Sequence, residues 1–393
     1  MSWKEISYLA KRLQFVKLAL KAQRSMSQLC QVFAISRKTG YQWTKRFERE
    51  GRRGLRDRSS RPHRSPGQTP ALWVKRIRRT RRRHRSWGSR KLAARLRQVY
   101  GPNGAPAART IGQWLKRLGL NRPSRRRARR GPELRRAGLT VALRSNQVWT
   151  VDFKGWFRTG DGQRVEPLTV RDLFSRYLLA VCALKDQSWK PVRRIFIRLF
   201  RQNGYPDIIR VDNGQPFGST GALGLSRLSA WWTALGIRVQ FITPGHPEQN
   251  GAHEQMHRVL KAETTKPASR NRRAQQRRNH RWTRTYNRVR PHEALAQRPP
   301  AQIYRPQPSP QRVIALSYPN DWLVRRVRSN GEIKWQGRKR FIGEAFVGYP
   351  IALKRQGRAR WRVRFAKLRI GELWDSDAGG MRPSRYTRKN RFF

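Results

Sequence analysis

Residues Thr243–Lys261, TPGHPEQNGAHEQMHRVLK, run from the end of an apolar strand pattern through a Pro/Gly loop into a helix that carries a carboxylate among bases. Asn250 or Gly251 can start that helix, since both suit the N-cap and the loop before it. Glu254 then lies one turn in, and Glu254, His257, Arg258 and Lys261 recur at i, i+3, i+4 and i+7 on one face. An acid beside several cations suits a site that handles a metal ion and a polyanion. Taken alone, the segment reads equally well as a solvated, salt-bridged helix face.

Two further acids shift that balance. Gln147–Phe157, QVWTVDFKGWF, reads as a buried strand with Asp152 inside an apolar and aromatic run, where a carboxylate is costly unless paired or bound to metal. Ile208–Phe217, IIRVDNGQPF, ends a second apolar run on Asp212, just before an Asn-Gly turn. The spacings of 60 and 42 residues leave room for intervening strands and helices, so three acids on separate elements can converge.

The segments VDFKG, RDLFSRY, VDNGQPF, PGHPEQNGAHE and YNRVRPHEAL together resemble the catalytic core of insertion-sequence transposases of the retroviral-integrase superfamily. That resemblance implies a ribonuclease H-like α/β core in which Asp152, Asp212 and Glu254 are both the catalytic residues and the ligands of two Mg²⁺ or Mn²⁺ ions. Glu254 is preferred to Glu248 because the family's glutamate follows Asn-Gly by three residues. The interval from Asp212 to Glu254 is longer than in many members, and the extra length falls in GSTGALGLSR, read as a loop. Asp172 matches a family position that supports the sheet and is not a metal ligand. Implied with the family are cleavage and joining of DNA at element ends and target, and a homo-oligomer, at least a dimer, that holds both ends.

Bulk composition agrees with a nucleic-acid partner. Ninety Lys and Arg against 22 Asp and Glu give 393 residues a net charge of +68, far more than solubility needs. No apolar run approaches the roughly 18 residues of a membrane-spanning helix, and the N-terminus has no signal-peptide pattern, so the expected location is the cytoplasm, with no membrane partner. Cys30 and Cys182 stand alone in apolar settings, against a disulfide frame or zinc site.

The chain divides into six segments. Residues 1–55 read as a helix-turn-helix domain in which Ser36 caps a second helix that offers Arg37, Lys38, Thr39 and Gln42 to DNA. Gly51–Thr69 reads as a linker. Residues 70–120 hold a second helix-turn-helix-like pair, Ser89–Tyr100 and Ala107–Leu118, whose second helix begins with Arg109 and Thr110, also assigned to DNA. Residues 121–144 are a basic linker without apolar period. The core spans 145–305: a three-strand antiparallel meander, then strands at Ile208–Val211 and Ile237–Ile242 alternating with helices at Trp189–Gln202 and Leu223–Leu235. Arg258 and Lys261 are its expected DNA contacts, and SRNRRAQQRRNHRW is a basic helix after them. Residues 311–375 suit a small all-β barrel with hairpin turns at Asn330-Gly331 and Gly357, and 376–393 form a basic tail.

Two alternatives belong to other classes. A DNA-binding regulator with an inactive core would keep the helical domains and dispense with the acids. A zinc protease would use HEQMH, His253–His257, as an H-E-x-x-H motif with the histidines as ligands and Glu254 as base. In the transposase reading those histidines are helix neighbours free to touch DNA.

Overall fold

Serine caps set the helix starts in the first of two units, Met1–Gln68 and Thr69–Phe393. The computed structural model describes residues 8–59, 67–121, 138–243, 246, 249 and 251–384. Within the first unit the helices are Tyr8–Leu20 (α1), Met26–Val32 (α2) and Arg37–Glu50 (α3). Ser25 closes a capping box with Gln28, and Ser36 accepts from the Thr39 amide, as the sequence predicts for the turn between α2 and α3. Gly40 lets the helices meet: a Cβ there would stand 2.6 Å from Cys30 Sγ and 3.0 Å from the Phe15 ring. The expected linker starts later than Gly51, because Gly51–Leu55 is a 3-10 turn whose Leu55 is buried with Phe15, Val16, Leu29 and Cys30.

The second unit opens with three helices, Ala71–Arg83 (α4), Ser89–Tyr100 (α5) and Ala108–Arg117 (α6). Helix α4 escaped the sequence reading, since ALWVKRIRRTRRR carries its buried apolar residues, Trp73 and Ile77, among a run of arginines. Buried Arg81 ties the bundle together through the carbonyls of Trp87 (2.6 Å) and Leu120 (2.9 Å). The bundle is also fastened to a later part of the same unit: Val289 packs on its core and Arg90 pairs with Glu293 at 2.7 Å. Most of the basic linker, residues 122–137, lies outside the described residues, as do Glu248, Asn250 and tail residues 385–393.

The central sheet comprises strands Val148–Phe153 (β1), Phe157–Arg158 (β2), Arg164–Asp172 (β3), Leu178–Leu184 (β4), Ile208–Val211 (β5) and Arg238–Phe241 (β6). β1 pairs antiparallel with β3 and β3 with β4, giving the expected meander, while β1–β5 and β5–β6 are parallel. Helices Trp189–Asn203 (α7) and Arg227–Ala234 (α8) cover one face, where Trp149, Val151, Leu168 and Val170 meet Phe196, Phe200 and Trp232. Helices Gly251–Thr264 (α9) and Arg272–Arg288 (α10) cover the other, with Met256, Leu260, Trp282 and Tyr286 on Leu178 and Val181. Strand alternation assigns residues to faces, and it sends Thr150, Asp152, Thr169 and Arg171 toward α9 and α10. Asp172 is buried and accepts from the Asn146 amide (2.9 Å) and from Ser175 N and Oγ (2.8 and 2.5 Å), the sheet-supporting role expected of it. Tyr304 closes the domain by donating to Asn146 Oδ1 at 2.8 Å.

The C-terminal strands are Leu323–Arg326 (β7), Glu332–Trp335 (β8), Arg338–Phe341 (β9), Pro350–Arg355 (β10), Arg360–Phe365 (β11), Leu368–Trp374 (β12) and Arg382–Pro383 (β13). They make an open five-stranded sheet, β13-β12-β11-β10-β7, and a separate β8–β9 hairpin, in place of the expected closed barrel. Among the described residues β7 and β13 remain unpaired edges, so the sheet buries its apolar face by packing. Ile351, Leu353, Val363 and Phe365 share one continuous core with the α8 side of the central sheet. The β8–β9 turn is Gln336-Gly337, both at positive φ, whereas Asn330-Gly331 lies in the connection from β7 to β8. The extra segment GSTGALGLSR is a docked turn: Leu223 is buried and its amide donates to Ser384 O at 2.9 Å. Helix α8 consequently begins at Arg227, capped by Ser226.

Candidate active site

Parallel register brings the first two acids level. Thr150 on β1 faces Arg210 on β5, so Asp152 and Asp212, each two residues further on, emerge side by side at the carboxyl ends of neighbouring strands about 4.8 Å apart. Asn213 holds the end of β5 to the end of β6 by donating to Ile242 O at 2.8 Å. Gly214 leaves room beside Asp212, where a Cβ would stand 3.3 Å from its Oδ2 and press on the carboxylate. Glu254 comes from the first turn of α9 and is exposed.

Asp212 and Glu254 both act electrostatically on Asp152. The Asp152 carboxyl is raised to about 7, first by burial and then by Asp212, with Glu254 adding to the rise, while the Phe153 amide and Lys154 oppose it. Asp212 is also raised by burial, against hydrogen bonding from the Gly214 backbone. Its Oδ1 is buried and accepts no hydrogen bond from the described residues. Carboxylates in this state gain most from a hard cation, which would relieve both the mutual repulsion and the unanswered lone pairs. The carboxylate oxygens of Asp152 and Asp212 suit a hard divalent ion, but together with Glu254 they do not form a group of ligand atoms within 4.8 Å of one another among the described residues.

The histidines depart from their expected place. His253 and His257 are buried against the sheet and are not available to DNA as helix neighbours, which leaves Glu254, Arg258 and Lys261 exposed on α9. His253 Nε2 and His257 Nε2 lie 2.6 and 2.7 Å from Thr169 Oγ1, and His253 Nδ1 lies 3.0 Å from Thr150 Oγ1. His257 Nδ1 stands 3.7 Å from Asp152 Oδ2. Burial lowers both imidazoles, His257 to about 3 with help from Lys154 and Arg171, so they sit neutral above a buried arginine. Asp152, His253 and His257 place ligand atoms within 4.8 Å of one another. However, the Nε2 atoms that a zinc-binding H-E-x-x-H motif would present to metal are engaged by Thr169.

Sequence reasoning missed Thr150, Thr169 and Lys154. Their signal was the alternation that puts Thr150 on the face of Asp152, and the pairing that sets Thr169 opposite Asp152. The residues assigned to DNA lie on α3, α6 and α9. Arg37, Lys38, Gln42 and Arg109 are exposed, while Thr39 and Thr110 are half-buried, and the Thr39 hydroxyl is held at 2.8 Å by the Ser36 cap. Helix α10 adds a row that the sequence reading left unresolved: Arg273, Arg277, Arg281, Arg284 and Arg288 are all exposed and share one stripe, opposite buried Gln275, Asn279, Trp282 and Tyr286.

Comparison with known proteins matches residues 142–247 and 235–300 to families described as integrase core domain. Residues 11–63 match a helix-turn-helix domain and 39–115 a homeodomain-like domain. Among curated relatives, an uncharacterized 31.7 kDa protein of insertion element IS407 from Burkholderia multivorans is 31% identical over 186 residues, 46% of this chain and 62% of the relative. An uncharacterized 39.2 kDa protein of insertion element IS476 from Xanthomonas euvesicatoria is 29% identical over 236 residues, 57% of this chain and 63% of the relative. The chain thus spans less than two thirds of the length of these relatives. The HTLV-2 integrase catalytic core domain in complex with magnesium is 17% identical, covering 42% of this chain and all of that one at a TM-score of 0.31, too loose a likeness to add to the fold. No described helix is long and apolar enough to cross a membrane.

Proposed function

We propose that this chain, which matches helix-turn-helix and integrase core families and is similar to proteins of insertion elements, is a transposase that cuts and joins DNA at the ends of a mobile element. The observation that supports it most is the parallel β1–β5 register that brings Asp152 and Asp212 level, where burial and Asp212 raise the Asp152 carboxyl to about 7 and Asp212 Oδ1 accepts no hydrogen bond from the described residues. Two divalent ions, Mg²⁺ or Mn²⁺, held by Asp152, Asp212 and Glu254, would supply activation of the attacking oxygen and neutralisation of the leaving one. In cleavage, water attacks phosphorus and the 3′ oxygen leaves, taking a proton from solvent. In joining, the freed 3′-OH attacks a target phosphodiester and a target 3′ oxygen leaves, so one bond replaces another and ATP is not needed.

The chain's own residues bind and orient the nucleic acid. Arg258 and Lys261 share α9 with Glu254, and the exposed α10 stripe adds cations on the neighbouring helix. A cleft of about 610 Å³ between Arg82–Trp87 and α9–α10 continues that surface with Arg82, Arg83, Arg85, Lys266, Arg278 and Arg281. Arg37, Lys38, Thr39 and Gln42 of α3, with Arg109 and Thr110 of α6, are the proposed readers of terminal inverted repeats, α3 entering the major groove. Two ends must be held at once, so the working form is at least a dimer, acting in the bacterial cytoplasm. The domain limits 1–55, 70–120, 145–305 and 311–375 are proposed as its functional segments, the C-terminal sheets serving as a further DNA or protein surface.

A strand-cleavage and joining assay on oligonucleotides carrying the element ends tests this reading. Product with Mg²⁺ or Mn²⁺, and none with Asp152→Asn or Asp212→Asn that still bind DNA, is the expected result. End-specific binding without cleavage under any divalent ion would instead identify a regulator with an inactive core.

A further inference from the structure

Two imidazoles and a backbone carbonyl converge on a single hydroxyl. Thr169 Oγ1 lies 3.0 Å from the Asp152 carbonyl oxygen, 2.6 Å from His253 Nε2 and 2.7 Å from His257 Nε2. A threonine hydroxyl has one hydrogen and two acceptor lone pairs. Because the carbonyl only accepts, a hydroxyl hydrogen placed on Asp152 O requires both Nε2 atoms to carry hydrogens and donate to Thr169, and His253 Nδ1 then accepts from Thr150. Every valence of the hydroxyl is then filled. His253 Nδ1 extends the group to the Thr150 hydroxyl at 3.0 Å, and all four side chains are buried.

Placement gives this group its meaning. Thr169 is the direct partner of Asp152 across the β1–β3 ladder, and Thr150 precedes Asp152 on the same face of β1. The histidines flank Glu254 on α9, one before it and one a turn after. The apolar contacts of α9, Met256 and Leu260 on Leu178 and Val181, are non-directional and tolerate small rotations or slips of the helix. Hydrogen bonds of 2.6–2.7 Å to one fixed hydroxyl do not.

We propose that Thr169, with Thr150, His253 and His257, is a positioning latch that fixes the rotation and register of α9 and so sets Glu254 against Asp152. The inference rests on the reading of the three acids as a metal site. It also accounts for the H-E-x-x-H spacing: residues at i and i+4 put both imidazoles on the buried face and turn the glutamate between them outward.

The test uses the full chain without DNA and compares Thr169→Val, which removes the hydroxyl at nearly equal volume, with Thr169→Ser, which keeps it. Mn²⁺ binding is followed by electron paramagnetic resonance, and the imidazole hydrogens by spectra of ¹⁵N-histidine protein. The wild type should show exchange-protected Nε2–H signals for His253 and His257. Thr169→Val should lose that protection and bind Mn²⁺ about 10–100-fold more weakly, the range for removing a group that orients metal ligands, while its far-UV circular dichroism stays native. Thr169→Ser should restore both. Unchanged Mn²⁺ affinity in Thr169→Val, no rescue by serine, or either Nε2 found without its hydrogen overturns the latch. If the valine variant does not fold, His257→Gln, which retains an N–H donor, and His257→Leu replace it, and equal loss of Mn²⁺ binding in both overturns the proposal. A wild type that binds no Mn²⁺ at all would instead sink the metal reading, leaving the latch to be decided by the Nε2–H signals.

Discussion

The two faces of the central sheet are built from opposite materials. Toward α7 and α8 it presents Trp149, Val151, Leu168 and Val170, all buried in a continuous apolar core. Toward α9 and α10 it presents Thr150, Asp152, Thr169 and Arg171, met by His253, His257 and Tyr286. Apolar burial stabilises without specifying direction, whereas the buried polar side specifies direction and is costly unless each group is answered. From Trp149 to Asp152 the strand divides residue by residue: Trp149 and Val151 are apolar and face α7 and α8, Thr150 and Asp152 are polar and face α9 and α10.

The largest effect should come from breaking the polar face at its acid. Asp152→Asn or Asp212→Asn is expected to lower divalent-ion-dependent cleavage on the order of 10³-fold or more, equivalent to about 4 kcal/mol of barrier, with DNA affinity little changed. A gel assay of product against bound fraction checks this, and cleavage persisting in both variants would remove the acids from the reaction.

On the apolar face the matching experiment reads stability. Trp149→Ala should cost about 3–5 kcal/mol, since the ring is fully buried, stacks on Phe200 with centroids 5.8 Å apart and donates to Asn146 Oδ1 at 3.0 Å. Urea titration measures it, and a loss under about 1 kcal/mol would mean this face is not the stabilising one.

A smaller, opposite effect distinguishes the faces by sign. Asp152 has its carboxyl raised from 3.8 to about 7, so the folded state holds a proton that the unfolded chain gives up at lower pH. Its contribution is present below pH 4 and is lost as pH rises through 7. Asp152→Asn, neutral throughout, should therefore raise metal-free stability above pH 7 by on the order of 2–4 kcal/mol and change little at pH 4. Thermal melts at the two pH values decide it, and a variant destabilised at both would show Asp152 to be a structural residue.

The smallest effect is expected outside both faces. Arg277→Ala with Arg281→Ala removes two exposed cations of the α10 stripe, which should leave thermal stability within about 0.5 kcal/mol. The slope of DNA affinity against salt should fall by roughly one for each phosphate no longer neutralised. An unchanged slope would place the DNA elsewhere.

The strands that bear Asp152 and Asp212 and the capped helix at Ser36 were legible in the sequence because their signals are local: apolar runs of strand length, a serine before a helical period, an Asn-Gly turn. Helix α4 was hidden by arginines whose stems and guanidinium groups replace apolar residues, as Arg81 does on the carbonyls of Trp87 and Leu120. Closure of the C-terminal strands was not legible either, since alternation specifies a half-buried sheet but not what covers it. Here the cover is the core itself, through Phe346 and the docked turn at Leu223.

By itself the sequence determined the strands and helices of the core and the excess of positive charge, while the choice of Asp152, Asp212 and Glu254 came with the family resemblance. Only the tertiary structure decided that His253 and His257 turn inward. A helix at i, i+3 and i+4 has no inside until a sheet is laid against it. The threonines that receive the histidines lie about 85–105 residues away in sequence, brought under α9 by the β1–β3 ladder, a pairing set by register across strands that no short-range pattern encodes.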